Sequence, residues 1–220
     1  MTPEPLTPTD NQRVLTTAQL LAPVEASAFA PLMRDMRVVQ LRPQDVLLRV
    51  GDAPPTECFV LDGVLRSWLG DAQGRAVTLD FYIGPCAMTP AIARSRAGQS
   101  RIHCEALTTA RVVLFEAEAL SRKMMADMAM ARWGDAVLTQ ELVRRVDREL
   151  ALATQSAKER LLALRADKPG LEDCVPQHHL ASYLGITPVS LSRLRGQLRR
   201  TSTPDDGGPS AGSTIPAPSS

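Results

Sequence analysis

Apolar residues come in short bursts between Val38 and Phe115, at 46–50, 58–61, 64–69, 77–83, 102–106 and 112–115. Turn chemistry separates them: Gly51-Asp52, Asp62-Gly63, Gly70-Asp71-Ala72-Gln73-Gly74 and Gly84-Pro85. Short strands with turn signals every ~8 to 12 residues predict an antiparallel roll or sandwich. Ahead of them, residues 18–36 read as helix with a break at Pro23. Beyond Leu120 the period changes. Leu138, Leu142, Val146 and Leu150 recur every four residues while Arg144, Arg145, Arg148 and Glu149 fall mostly elsewhere on the wheel, which predicts one long amphipathic helix. Its apolar stripe packs either on its own roll or on the same helix of a second copy. Residues 1–13 and 201–220 are polar and Pro-rich and are expected to be unstructured tails, and no internal repeat is present.

The stretch 177–194 carries most of the information. A helix-turn-helix needs a small residue where two helices cross, a Gly for the left-handed turn and apolar residues inside both helices. Leu180, Ala181, Leu184, Gly185, Ile186, Leu191 and Leu194 meet those demands. Thr187 can cap the second helix and Pro188 suits its first position. Leu191, Leu194 and Leu198 then face inward, leaving Val189, Ser190, Ser192, Arg193, Gln197 and Arg200 facing out. Arg193, Gln197 and Arg200 share one face, with side chains able to pair with guanine or adenine edges, or with phosphates, in a major groove. Gly196 costs the same helix roughly 1 kcal/mol against Ala, for no reason visible in the sequence.

Composition narrows the partners. The chain has 220 residues, 44% of them hydrophobic, with 25 Lys+Arg against 24 Asp+Glu, a net charge of +1. That suits a soluble globular protein large enough to bury a core without staples. The near balance hides a basic end: residues 176–200 hold Arg193, Arg195, Arg199 and Arg200 and no acid, the footprint of a local polyanion contact. The first residues lack a basic segment followed by an apolar core, and no run approaches the ~18 apolar residues of a membrane helix, so a cytoplasmic protein is expected. Cys58, Cys86, Cys104 and Cys174 are far apart, without the spacing of a zinc site, and are expected to be reduced, buried thiols; no metal is expected.

Catalysis finds no support. His103 and Cys104 are neighbours on a predicted strand and point to opposite faces, and His178 and His179 open a helix without a converging nucleophile or base. Neither phosphate-loop nor dinucleotide-binding glycine motif occurs. The chain is therefore not expected to be an enzyme.

With these residues in view, the chain resembles the Crp/Fnr family of bacterial transcription regulators over about residues 20 to 200. Val50-Gly51-Asp52, 58–66 (CFVLDGVLR) and 71–79 (DAQGRAVTL) are similar to motifs of the family's roll; 157–162 (AKERLL) and 186–193 (ITPVSLSR) are the most specific match. The resemblance implies an α+β fold: an amino-terminal antiparallel β-roll of the cyclic-nucleotide-binding type (14–130), a long dimerisation helix (131–155) and a carboxy-terminal helix-turn-helix domain (156–200). It further implies a homodimer whose recognition helices enter successive major grooves of an inverted repeat in double-stranded DNA, with RNA polymerase as a further partner and no membrane. Leu138, Leu142, Val146 and Leu150 would form the dimer seam, and Thr187, Pro188, Val189, Ser190, Ser192, Arg193, Gln197 and Arg200 the DNA face. Val189 stands where many members carry a Glu that reads a base, so no half-site sequence transfers, and no strand-forming segment follows Arg200 to make a wing.

Members that bind cyclic AMP use a Gly-Glu and an Arg-Ser pair. Here those stretches read Gly84-Pro85-Cys86-Ala87-Met88-Thr89 and Ser100-Arg101-Ile102-His103-Cys104. The Glu is missing and the Arg displaced, so the cyclic-nucleotide motif is degraded and no cofactor is assigned. Gly84, Met88, Thr89, Ser100 and Arg101 remain the candidate effector contacts, and Thr89-Pro90 could open a short helix that attracts an anion together with Arg101. The cysteine cluster of the family's iron–sulfur sensors is not found at the amino terminus. Two readings stand: a DNA-binding regulator with a sensory roll, and a ligand-sensing or protein-interaction module of the same fold that does not bind DNA.

Overall fold

The computed structural model describes residues 2–53, 55–89 and 95–202. In chain order the elements are β1 (Glu4–Pro5), α1 (Pro8–Gln19), α2 (Ala26–Met33), β2 (Arg37–Leu41), β3 (Val46–Leu48), β4 (Thr56–Asp62), β5 (Val64–Gly70), β6 (Ala76–Ile83), β7 (Cys86–Met88), β8 (His103–Ala106) and β9 (Ala110–Glu116). Helices follow: α3 (Ala117–Ala126), α4 (Met128–Thr154), α5 (Ala157–Asp167), α6 (Leu171–Cys174), α7 (Gln177–Tyr183) and α8 (Pro188–Ser202). This is the α+β architecture expected, an antiparallel roll followed by helices.

One sheet has the order β1-β2-β9-β4-β7 and the other β3-β8-β5-β6, with every pairing antiparallel. Side chains on β4 alternate between two cores: Cys58 and Val60 point into the roll, Phe59 and Leu61 outward under the helices. Because both faces are covered, 58–61 reads as an unbroken apolar run. The roll interior is filled by Leu41, Leu65, Cys104, Val112 and their neighbours. Outside the first sheet, Phe29 meets Trp133 edge-on at 4.9 Å, and the Trp133 indole N–H donates to the Ala18 carbonyl at 3.0 Å. Gly63 makes the β4–β5 turn at φ +85°, where a Cβ would lie 2.3 Å from the Thr109 carbonyl oxygen.

The amino terminus departs from expectation. Residues 1–13 read as a tail, yet β1 pairs with β2 and α1 begins at Pro8 behind a reciprocal capping box of Thr7 and Asp10. Long-range ion pairs hold it: Asp10 takes two bonds from Arg111, both 2.7 Å, and Arg13 grips Asp62 at 2.6 and 2.7 Å. The Arg111 guanidinium beside Asp10 holds its carboxyl well below the usual carboxylate range. The helical stretch expected over 18–36 with a break at Pro23 is divided there: α1 ends at Gln19 and α2 starts at Ala26, but α1 begins earlier, at Pro8, and α2 ends at Met33. Strands β2 and β7 were not among the expected bursts, β7 because it is three residues long and directly follows Pro85.

The cysteines also divide. Cys58 and Cys104 are buried as expected and burial pushes both thiols up, Cys104 to about 12. Cys86 is half-buried and Cys174 is exposed. All four are free. Among the described residues, no group of potential ligands could hold a metal ion and no helix is long and apolar enough to cross a membrane.

Helix α4 spans 27 residues and presents two apolar faces. Met130, Trp133 and Val137 pack on the roll, with Glu141 buried beside them. Glu141 accepts from Arg144 and Arg145, and Arg144 also pairs with Asp80 on β6 at 3.0 Å. Leu138, Leu142, Val146 and Leu150 are not on that face. They stand 47%, 62%, 44% and 55% exposed.

Candidate nucleic-acid interface

Each element of the carboxy-terminal unit has a local cause. Ser156 and Glu159 form a capping box that starts α5. Helix α7 ends in a Schellman motif: Ile186 N–H donates to Ala181 O at 3.0 Å and Gly185 N–H to Ser182 O at 3.1 Å, with Gly185 at φ +67°. A Cβ there would also stand 3.2 Å from Leu152 Cδ2. Thr187 Oγ1 then accepts from Ser190 N–H at 3.1 Å and caps α8, whose first residue is Pro188. Gln177 Nε2 donates to the Pro188 carbonyl at 2.8 Å, tying the start of one helix to the start of the next.

Leu191 is fully buried, and Leu194 and Leu198 pack against the same core as Leu180, Ala181 and Leu184. On the other side of α8, Thr187, Pro188, Val189, Ser190, Ser192, Arg193, Gln197 and Arg200 are all exposed, Val189 at 60%. Arg195 is turned inward instead, donating to Glu172 at 2.7 Å, and Arg165 bonds the same carboxylate. Burial alone would raise the Glu172 pKa, but the two arginines outweigh it and lower it. The positive charge of the outer face thus rests on Arg193, Arg199 and Arg200.

The unit docks on the roll through α7. The Ser182 hydroxyl accepts from Thr78 N–H at 2.9 Å and donates to Ala76 O at 3.1 Å, both on β6, the edge of its sheet. Tyr183 packs on Phe81, and Arg148 of α4 lies over the Tyr183 ring at 3.8 Å while donating to Tyr183 O at 2.8 Å and Thr78 O at 3.3 Å. Sequence reading missed this clasp. Arg148 looked like one more solvated charge on an amphipathic helix, and its partners lie 35 and 70 residues away.

The candidate effector residues are not gathered in one place. Met88 is 2% exposed in the roll interior, and Gly84 abuts the backbone of Leu61 and Asp62. Ser100 is buried in its own loop, its hydroxyl donating to Ile102 O at 2.8 Å, while Arg101 is exposed. Thr89 lines a cavity of about 270 Å³ between α1, β7 and α4, with Cys86, Gln140, Glu141, Arg144 and Lys168 among its walls. The helix suggested from Pro90 onward lies outside the described residues. His103 and Cys104 do point apart: Cys104 is inside the roll and His103 stacks on Trp68 at 4.3 Å.

No family model matches the sequence, and no curated protein matches it significantly. Solved structures do. FixK2 from Bradyrhizobium japonicum is 21% identical, with a TM-score of 0.66 over 76% of this chain and 85% of that one. The c-di-GMP responsive global regulator CLP of Xanthomonas campestris is 14% identical, with a TM-score of 0.63 over 80% and 93% of the two chains. A transcriptional regulator described as of the Crp/Fnr family, from Eubacterium rectale, is 14% identical, with a TM-score of 0.63 over 81% and 85%. The roll, the long helix and the helix-turn-helix of this chain together form the fold of Crp/Fnr-type regulators.

Proposed function

We propose that the protein is a DNA-binding transcription regulator of the Crp/Fnr type that works as a homodimer, with RNA polymerase as a further partner, and is not an enzyme. One observation carries the reading. The capped recognition helix keeps Val189, Ser192, Arg193, Gln197 and Arg200 exposed while α7, not α8, docks on the roll. Such a face places Arg193, Gln197 and Arg200 along one side of a rod that fits a major groove, where Arg and Gln pair with purine edges. The exposed stripe of Leu138, Leu142, Val146 and Leu150 supports pairing with a second copy, which would set two recognition helices on half-sites about one helical turn apart. Control by a small ligand or signal at the roll belongs to the same reading, with Gly84, Met88, Thr89, Ser100 and Arg101 as candidate contacts. A cyclic nucleotide is not assigned, because the Gly-Glu and Arg-Ser pairs are not intact here.

Selection of bound duplexes from a random pool, with and without cyclic nucleotides, tests the proposal. The expected product is an inverted repeat whose binding weakens steeply as salt rises and counterions stay condensed on the DNA. Absence of duplex binding at ~50 mM salt would leave the chain a sensing or interaction module of the same fold.

A further inference from the structure

Helix α7 ends at the turn of the helix-turn-helix, and its last carbonyls need partners. The turn supplies two: Ile186 N–H bonds Ala181 O and Gly185 N–H bonds Ser182 O. The carbonyls of Tyr183 and Leu184 are left over, and each is taken by a guanidinium from outside the motif. Arg148 of α4 donates to Tyr183 O at 2.8 Å, and Arg160 of α5 donates through Nε to Leu184 O at 3.0 Å. A cation at the carboxyl end of a helix is favoured by the helix dipole as well. Both arginines also reach a further element. Arg148 bonds Thr78 O on β6 at 3.3 Å, and Arg160 Nη1 donates to Gln155 O and lies 3.5 Å from Ala151 O at the end of α4.

What these bonds restrain is a joint. Only Gln155 and Ser156 separate α4 from α5, and both are extended, with ψ of 148° and 159°. The buried core of the carboxy-terminal unit takes Val64 and Phe81 from the roll but, among the described residues, none from α4. The buried apolar residues of α4 are Met130, Trp133 and Val137, all in its first half and all on the roll. Between the second half of α4 and the helices α5 and α7 lies a cleft of about 590 Å³ rather than a packed seam. The direct tie between the long helix and the helix-turn-helix therefore rests on Arg148, Arg160 and the contact of Leu152 with Gly185.

We infer, on the reading of the chain as a dimeric DNA-binding regulator, that Arg148 and Arg160 are positioning residues for operator recognition. They fix the distance and angle between the seam on α4 and the recognition helix α8, and thereby the half-site spacing that the dimer accepts. One added base pair moves a half-site by ~3.4 Å along the DNA and turns it by ~35°. Two braced α8 helices cannot follow both movements, whereas helices free to pivot at Gln155 and Ser156 can. The sequence read within each half-site belongs to α8 and does not depend on the brace.

The test compares operators that carry the selected half-sites at the preferred spacing and at spacings one and two base pairs shorter or longer. Each is titrated with the full native chain and with the double variant Arg148→Gln, Arg160→Gln. The native dimer should lose ~10-fold or more in affinity for a change of one base pair, the scale of a mismatched base pair. The double variant should bind neighbouring spacings within ~3-fold of one another, a difference of less than ~1 kcal/mol, with the same half-site sequence preference. A variant profile as sharp as the native one, or lowered equally at every spacing as simple loss of stability would do, overturns the inference. A second measurement needs no DNA: ¹⁵N relaxation should give α4 and α5 to α8 one rotational correlation time in the native chain, and a shorter one for α5 to α8 in the double variant. Equal times in both proteins overturn the brace, whereas a native chain that binds no duplex counts against the regulator reading and leaves the brace to be decided by relaxation. Should the double variant fail to fold, each single variant keeps one guanidinium in place and is read in the same two ways.

Discussion

Replacing Leu142 by Glu places a carboxylate in the middle of the exposed stripe on α4. Leu142 is 62% exposed in the single chain, so more than half of its side chain has burial left to gain. Full burial of a Leu is worth about 1.5 to 3 kcal/mol, so each copy loses ~1 to 2 kcal/mol and a symmetric pair ~2 to 4 kcal/mol. Two carboxylates brought toward one axis add desolvation and repulsion in the same direction. Dissociation of the proposed dimer should therefore rise by at least about 30-fold. The fold of the single chain should not suffer, because the buried face of the helix is Met130, Trp133 and Val137. Sedimentation equilibrium over a range of protein concentration, beside circular dichroism, separates these effects. Folded monomers with weakened operator binding are expected, since a lone half-site loses the avidity of the pair. An undiminished dimer in both Leu142→Glu and Val146→Glu would refute the assignment of this stripe as the seam.

Other consequences follow from named residues. Arg193→Ala should remove ~1 to 3 kcal/mol of binding and relax preference at one base pair per half-site, read by competition between operator variants; a uniform loss over all sequences would make Arg193 a phosphate contact. Asp10→Asn should cost about 1 to 3 kcal/mol in urea unfolding at neutral pH. Because the folded-state pKa of Asp10 is lowered, its contribution is present above the ordinary carboxylate pKa of about 4 and is lost only as pH falls through the folded value, so the gap between the two proteins should narrow below about pH 4. Gly185→Ala should destabilise by ~1 to 2 kcal/mol through its left-handed φ, and a crowded Leu152 adds to it, whereas Gly196→Ala should stabilise by up to ~1 kcal/mol, its nearest neighbour being the Arg200 guanidinium at 4.0 Å. Thermal melts of the two variants should move in opposite directions.

Local chemistry was legible wherever residues close in sequence cooperate. The Gly185 turn, the Thr187 cap, the Pro188 start and the inward leucines of α8 need only neighbours three or four positions away, and each stands as its residue type demands. The same holds for the strand bursts and for the long period-four stripe. Contacts across the chain were not legible. Thr7 and Asp10 look like a polar tail until Arg111, 101 residues on, is brought against them. Arg195 counts toward a basic face until Glu172 neutralises it.

The amino-acid sequence by itself determined the order of roll, long helix and helix-turn-helix, because apolar periodicity and capping act over a few residues and do not depend on the rest of the fold. Only the tertiary structure decided which side of α4 meets the roll, that α7 rather than α8 docks on the β6 edge, and that Arg66 is buried beneath His179. Those outcomes turn on desolvation and on hydrogen bonds between distant groups, and a charged side chain carries no mark in sequence of whether its partner is water or a carbonyl 70 residues away.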